Sequence, residues 1–167
     1  MINNELAQKI EQMAELDQKM RDGASKGGQW NSGIDKGNTV ELKRIISKFG
    51  WPTISLVGEK ASQWAWLLAQ HADHDIEFQK TCLQLMKDSY FSNTNDVNPK
   101  NIAYLTDRIL VAENKEQLFG TQFYTNENGE LVPRPIAERT SLNTKRAEVG
   151  LGTFEEYEKL MKESLKS

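Results

Sequence analysis

Residues 58–75 read GEKASQWAWLLAQHADHD, and the way this stretch folds decides how its neighbours must pack. From Gly58 to Ala72 the apolar side chains Ala61, Trp64, Ala65, Trp66, Leu67 and Leu68 are spread around the turns of a helix rather than along one stripe. A helix that is apolar nearly all round belongs at the centre of a bundle, not at its surface. The flanking segments should then supply amphipathic walls.

On the N-terminal side, Leu6, Ile10, Met13, Leu16 and Met20 recur every three or four residues and predict one helix over 2–20. From Arg21 to Gly37 five of the eleven glycines of the chain fall together, so this stretch is expected to be a long surface loop, with Trp30 as its anchor. Asn38 followed by Glu41 has the spacing of a capping box and predicts the start of a second helix, with Leu42, Ile45, Ile46 and Phe49 as its stripe. Gly50 ends that helix, and Trp51-Pro52 forms a rigid turn.

On the C-terminal side, Ile76–Tyr90 carries Phe78, Cys82, Leu85 and Met86 on one face. Asn98-Pro99 opens a further helix to about Ala112, with Ile102, Leu105 and Ile109 inward. QLFGTQFY, TNENG and ELVPR predict a β-hairpin near 117–134, whose second strand is held to an edge by Pro133 and Pro135. A short helix over 141–149 follows. A last one is opened by Thr153 with Glu156 three residues on, and carries Phe154, Tyr157, Leu160 and Met161. The expected fold is mostly α (α+β), a compact bundle of about six helices with one hairpin. Residues 1–37, a helix and a glycine-rich loop, are expected to pack on a body formed by 38–167.

Composition narrows the function classes. The chain has 167 residues, 38% hydrophobic and 27% charged, with a net charge of −3. That suits a globular domain and argues against a nucleic-acid binder that works through bulk positive charge. The single Cys82 excludes an intrachain disulfide framework. The opening MINNELAQKIEQM is too polar for a signal peptide, and no apolar run approaches the roughly 20 residues of a membrane span, so a cytoplasmic location is expected.

His71 and His74 are the only histidines. His71 lies seven residues after Trp64 and three after Leu68, so it continues the buried stripe as a candidate general base, with Asp73 or Asp75 to fix its tautomer. The plainer reading makes an aspartate the cap of the next helix and gives His71 a loop carbonyl. Either way a ring at that position needs a partner, because burying it unpaired costs on the order of 1–3 kcal/mol. A metal site is not expected: His74 and Asp75 are neighbours about 100° apart on a helix and cannot both converge with His71. Cys82 would lie about 16 Å from His71 along a continuous helix, too far for a nucleophile–base pair. No phosphate-binding or dinucleotide motif is present, and no cofactor is expected. Arg108, Arg134, Arg139 and Arg146 are either forks for a carboxylate or phosphate, or ordinary helix-pairing arginines.

Several strings occur together: GWPT at 50–53, AWLLAQHAD ending at Asp73, FQ at 78–79, CL at 82–83, AYLTDR at 103–108, FGTQF at 119–123, PRPI at 133–136 and RAEVGL at 146–151. In this order, over about residues 40–160, the chain resembles the bacterial domain of unknown function 6624. The resemblance implies a small, mostly helical protein of a family without an established activity, and leaves the first 37 residues outside the match. The positions it brings forward are Trp51, Pro52, Gln70, His71, Asp73, Asp107, Arg108, Gly120, Thr121, Gln122, Pro135, Arg146 and Gly150. Ile76 stands where relatives have proline, which supports Asp75 as a helix cap.

So many polar groups imply a site or a buried polar network. Two readings follow. In the first the protein is a hydrolase- or transferase-type enzyme with His71, Asp73 and Asp75 as its catalytic set. Gln70, Asp107, Arg108, Thr121, Gln122, Arg134 and Arg146 then hold a small anionic or amide-bearing ligand. In the alternative the same cluster is structural, within a non-catalytic module that binds a protein partner.

Overall fold

The computed structural model describes residues 1–164. Its elements are α1 (Asn4–Ser25), α2 (Ser32–Phe49), α3 (Ile54–Val57), α4 (Glu59–Gln70), α5 (Ile76–Ser92), α6 (Pro99–Ala112), β1 (Phe123–Thr125), β2 (Leu131–Pro133), α7 (Leu142–Glu148) and α8 (Phe154–Ser164). The protein is mostly α with one antiparallel hairpin, as its periodicity predicts. The chain forms two compact units, Met1–Asn98 and Pro99–Ser167. Residues 1–37 are integral to the first. The final three positions of the expected 38–167 body lie outside the described residues.

In the first unit α4 packs against α1, α2, α3 and α5, the central place its all-round apolar surface demands. Ala61, Ala65 and Ala69 are fully buried on α4, and such small side chains let the facing helices approach closely. Against them α1 buries Leu6, Ile10, Met13, Asp17 and Met20. Leu16, expected in that stripe, is 59% exposed, while Asp17 is completely buried. The helical repeat through 6, 10, 13, 17 and 20 runs on through the aspartate.

The expected loop over Arg21–Gly37 is mostly helix. α1 continues to Ser25 and α2 begins at Ser32, so only 26–31 connects them. The glycines have specific uses there. A Cβ on Gly28 would sit 2.7 Å from the Gly23 carbonyl oxygen, and one on Gly33 would sit 2.9 Å from the Asn31 side chain. Asn31, not Asn38, is the N-cap, accepting from the Gly33 amide at 3.0 Å. Gly50 ends α2 with a positive φ of 77°, and Trp51-Pro52 is buried behind it. The short α3 was not expected; the Asp96 carboxylate accepts from the Ser55 amide and hydroxyl in its first turn. Asp75 caps α5 as predicted, accepting from the Phe78 amide at 3.1 Å.

In the second unit α6 buries Ala103, Leu105 and Ile109. The hairpin is shorter than expected, pairing Phe123 with Pro133, Tyr124 with Val132 and Thr125 with Leu131. Residues 117–122 are loop, tied to the chain beyond β2 by a bridge between Gln117 and Ile136. Thr153 and Glu156 form the predicted capping box of α8, with the Thr153 amide on Glu156 at 3.0 Å.

Gly120 holds this loop against α8. Its φ is +67°, and a Cβ there would lie 2.7 Å from the ring of buried Phe154, itself stacked on Phe123. Gly120→Ala combines left-handed strain with overpacking and is expected to cost about 2–4 kcal/mol. Urea denaturation checks this; an unchanged midpoint would show that the ring yields without cost.

Candidate acid–base site

His71 is the C-cap residue of α4, where the helix has just ended and the side chain leaves the apolar stripe. Its Nδ1 lies 2.9 Å from Oδ2 of Asp17, 54 residues away on α1. One turn further along α1, Arg21 sets Nε on the same carboxylate at 3.1 Å and Nη2 on Asp35 Oδ1 at 2.8 Å. Asp35 comes from the first turn of α2, and Gln18 adds an amide donor to Asp17 at 2.7 Å. Trp30, in the connecting loop, lays its ring 4.8 Å from the Arg21 guanidinium carbon. His71, Gln18 and Arg21 thus meet on one buried carboxylate, and Arg21 links it to Asp35 and Trp30.

The electrostatics follow from these contacts. Burial alone would raise Asp17, but the hydrogen bonds from His71 and Arg21 outweigh it and hold the carboxyl down at about 2. Asp35 moves the other way: burial and the neighbouring Asp17 charge lift it against the pull of Arg21. A carboxylate at Nδ1 assigns the proton to that nitrogen and leaves Nε2 as the atom that can take up a proton. The His71 side chain is 15% exposed while that of Asp17 is fully covered.

The carboxylate at Nδ1 is therefore Asp17, where Asp73 or Asp75 was expected. Asp75 is occupied as the cap of α5 and in an ion pair with Lys43 at 2.6 Å. Asp73 accepts from the Gln79 amide at 3.3 Å, and the same amide spans the Ala69 and Gln70 carbonyls where α4 ends. His74 is exposed. Gln70 is buried, and its Oε1 meets no donor among the described residues. Burial pushes the Cys82 thiol up to about 12, which fits the inert core residue its position predicts.

The other polar positions belong to the second unit and organise the loop before β1. Asp107, completely buried on α6, accepts from the backbone amides of Leu118, Phe119 and Thr121 and from the Thr121 hydroxyl, at 2.7–3.2 Å. Burial raises its carboxyl while these donors act against the rise. Arg146, 1% exposed, holds the opposite polarity of the same loop, donating to the Phe119 carbonyl at 2.6 Å and to that of Gly152 at 2.7 Å. Gln117 donates to the Gln122 and Arg134 carbonyls and accepts from the Gln122 amide, and the Gln122 side chain donates to Thr121 Oγ1. Arg134 is exposed, with its guanidinium 4.5 Å from the centre of the Tyr124 ring. Arg108 is half-buried on α6. Asp107, Thr121, Gln122 and Arg146 thus bond to this loop's backbone and to each other, where the enzyme reading expected them to hold a ligand.

Asp17, Arg21 and Asp35 are the residues that sequence reasoning missed. One signal was present: Asp17 occupies the fourth place of the stripe through Leu6, Ile10, Met13 and Met20, where a charge is out of pattern. Among the described residues no three His, Cys, Asp or Glu side chains are arranged to hold a metal ion, and no helix is long and apolar enough to cross a membrane.

Residues 4–166 match the model of a family described as a family of unknown function, DUF6624. The match reaches into α1, so the first 37 residues, expected to stand outside it, lie almost wholly within it. No curated protein and no solved structure matches the chain.

Proposed function

Taking as premise that the chain belongs to the family of unknown function 6624, we propose that it is a hydrolase in which His71 is the general acid–base group and Asp17 its positioning residue. One observation carries the reading: the 2.9 Å contact of His71 Nδ1 with a fully buried carboxylate held at about 2. Such a carboxylate fixes the ring, selects the tautomer and stabilises the imidazolium formed when Nε2 accepts a proton. The cluster of Asp17, Gln18, Arg21, Asp35 and His71 contains no serine, cysteine or lysine to form a covalent intermediate. Water is then the nucleophile. Nε2 takes its proton as the new bond to the substrate forms, and returns that proton to the leaving group as the old bond breaks.

The alternative, a structural polar network, has its own support in the second unit, where Asp107, Gln117 and Arg146 bond to loop backbone. The two readings therefore apply to different residues, not to one shared cluster.

Turnover of nitrophenyl esters, phosphodiesters, N-glycosides and peptide amides, measured on the parent and on His71→Ala, tests the proposal. We expect hydrolysis of at least one class, reduced about 10²–10⁴-fold in the variant. The variant's melting temperature should fall modestly, because buried Asp17 loses the Nδ1 hydrogen bond but keeps those from Arg21 and Gln18. Turnover unaffected by His71→Ala, or no turnover of any class by the parent, would overturn the assignment.

A further inference from the structure

We propose that Gln79 is a positioning residue of the acid–base site: its side-chain amide ties the turn that carries His71 to α5, and so sets the ring against Asp17. The inference rests on the acid–base reading of His71 for its catalytic meaning, while its geometry stands apart from that reading.

α4 ends at Gln70, and His71 has φ −88° and ψ 1°, so the ring is mounted on the first residue beyond the helix. Helix ends fray, and the last carbonyls of a helix have no partner within it. Gln79 answers both needs. It lies one turn into α5, is completely buried, and its Nε2 donates to the Ala69 and Gln70 carbonyls at 3.2 Å and to Asp73 Oδ1 at 3.3 Å. Those acceptors lie on both sides of His71 in the chain. The two amide hydrogens are shared among three oxygens and hold the turn before and after the ring. Asp75 returns the connection by capping α5 on the Phe78 amide.

A second observation separates this role from packing. The Oε1 of Gln79 is buried and meets no donor among the described residues. A methionine of similar length would fill the same space without stranding an oxygen, so packing alone gives no reason for glutamine here. What the amide supplies, and an apolar side chain cannot, is a pair of donors. Their effect at the site is one of distance. The contact of His71 Nδ1 with Asp17 Oδ2 is 2.9 Å and reaches across to another helix, and such a bond is lost beyond about 3.5 Å. Misplacing a reacting group by about 1 Å can lower a rate on the order of 10²-fold.

Nitrogen-15 spectra of the two imidazoles in the full chain test this without any substrate, at about pH 9, well above the ordinary imidazole range. His74 is exposed and serves as the untethered reference. In the parent we expect His71 to show the pattern of a ring protonated at Nδ1. In Gln79→Met, which keeps the volume, that pattern should move toward the one His74 shows. Gln79→Glu, equal in length but with an acceptor facing three oxygens, should move it further, and gives the same reading should the methionine variant not fold. On any substrate the parent hydrolyses, Gln79→Met should lower kcat about tenfold or more and leave KM nearly unchanged. A folded Gln79→Met that melts lower yet keeps the parent's His71 pattern and kcat would make Gln79 a structural cap alone and overturn the proposal. If His71→Ala loses turnover while Gln79→Met keeps it in full, the positioning role falls and the acid–base reading stands. If the parent hydrolyses nothing but its His71 pattern moves in Gln79→Met, the hydrolase reading falls and the placement of the ring by Gln79 stands. A parent His71 that already resembles His74 would overturn both.

Discussion

Replacing Asp17 by alanine is expected to destabilise the Met1–Asn98 unit by about 2–4 kcal/mol, because it leaves half-buried Arg21 with Asp35 alone and takes the acceptor from His71 and Gln18. His71 Nδ1, Arg21 Nε and the Gln18 amide all converge on this carboxylate. The pH dependence has a definite sign. Asp17 is lowered from 3.8 to about 2, so its ionised form contributes on the order of 2 kcal/mol above pH 4. That contribution is lost as the pH falls through the folded value, and most of it is gone by about pH 2. Asp35, shifted upward, acts oppositely: its penalty is present at neutral pH and is relieved as acidification protonates it. Stability should therefore hold or rise slightly on mild acidification and then fall below about pH 4. Urea denaturation of the parent and Asp17→Asn across this range is the measurement. Parallel curves separated by a constant would mean that Asp17 does not titrate in the way its contacts require.

Asp107→Ala is expected to be comparably costly in the other unit, at about 3–5 kcal/mol. It leaves three backbone amides and the Thr121 hydroxyl without the buried acceptor they share. Asparagine is a poor substitute, since its NH2 group would face N–H donors where the carboxylate offers a second oxygen. Hydrogen exchange locates the effect: the amides of Leu118, Phe119 and Thr121 should exchange quickly, while those of α4 keep their protection. Unchanged protection at the three amides would remove Asp107 from its role as the organiser of this loop.

Much of the fold was legible in the sequence because it depends on local rules. The central α4, the Asp75 cap, the stop at Gly50, the start at Pro99 and the capping box at Thr153 each follow from a few consecutive residues. The errors have physical causes too. Leu16 was assigned to the buried stripe because it is apolar, although the period points to Asp17; a hydrophobic pattern has no way to count a buried carboxylate. Glycine density between Arg21 and Gly37 looked like backbone freedom, yet two of those glycines, Gly28 and Gly33, give room for a close carbonyl and a capping side chain. That the His71 ring needs a partner was legible, but which partner it takes was not. Nothing local relates Asp17 to His71, and the nearby Asp73 and Asp75 were the only acids that spacing could suggest.

The helix α1 carries both Asp17 and Arg21, and only the short connection 26–31 joins it to α2. The acid–base pair therefore exists only while α1 is docked. Local opening of one helix costs less than global unfolding. A molecule that has lost α1 from its place still possesses His71, correctly mounted at the end of α4, but the ring has neither its tautomer nor its counter-charge. On the proposed hydrolase reading, competence would be a docking equilibrium, with α1 behaving as a detachable subunit tethered to its own host. Whatever wedges α1 from α4 would then separate His71 from Asp17 without ever touching the imidazole.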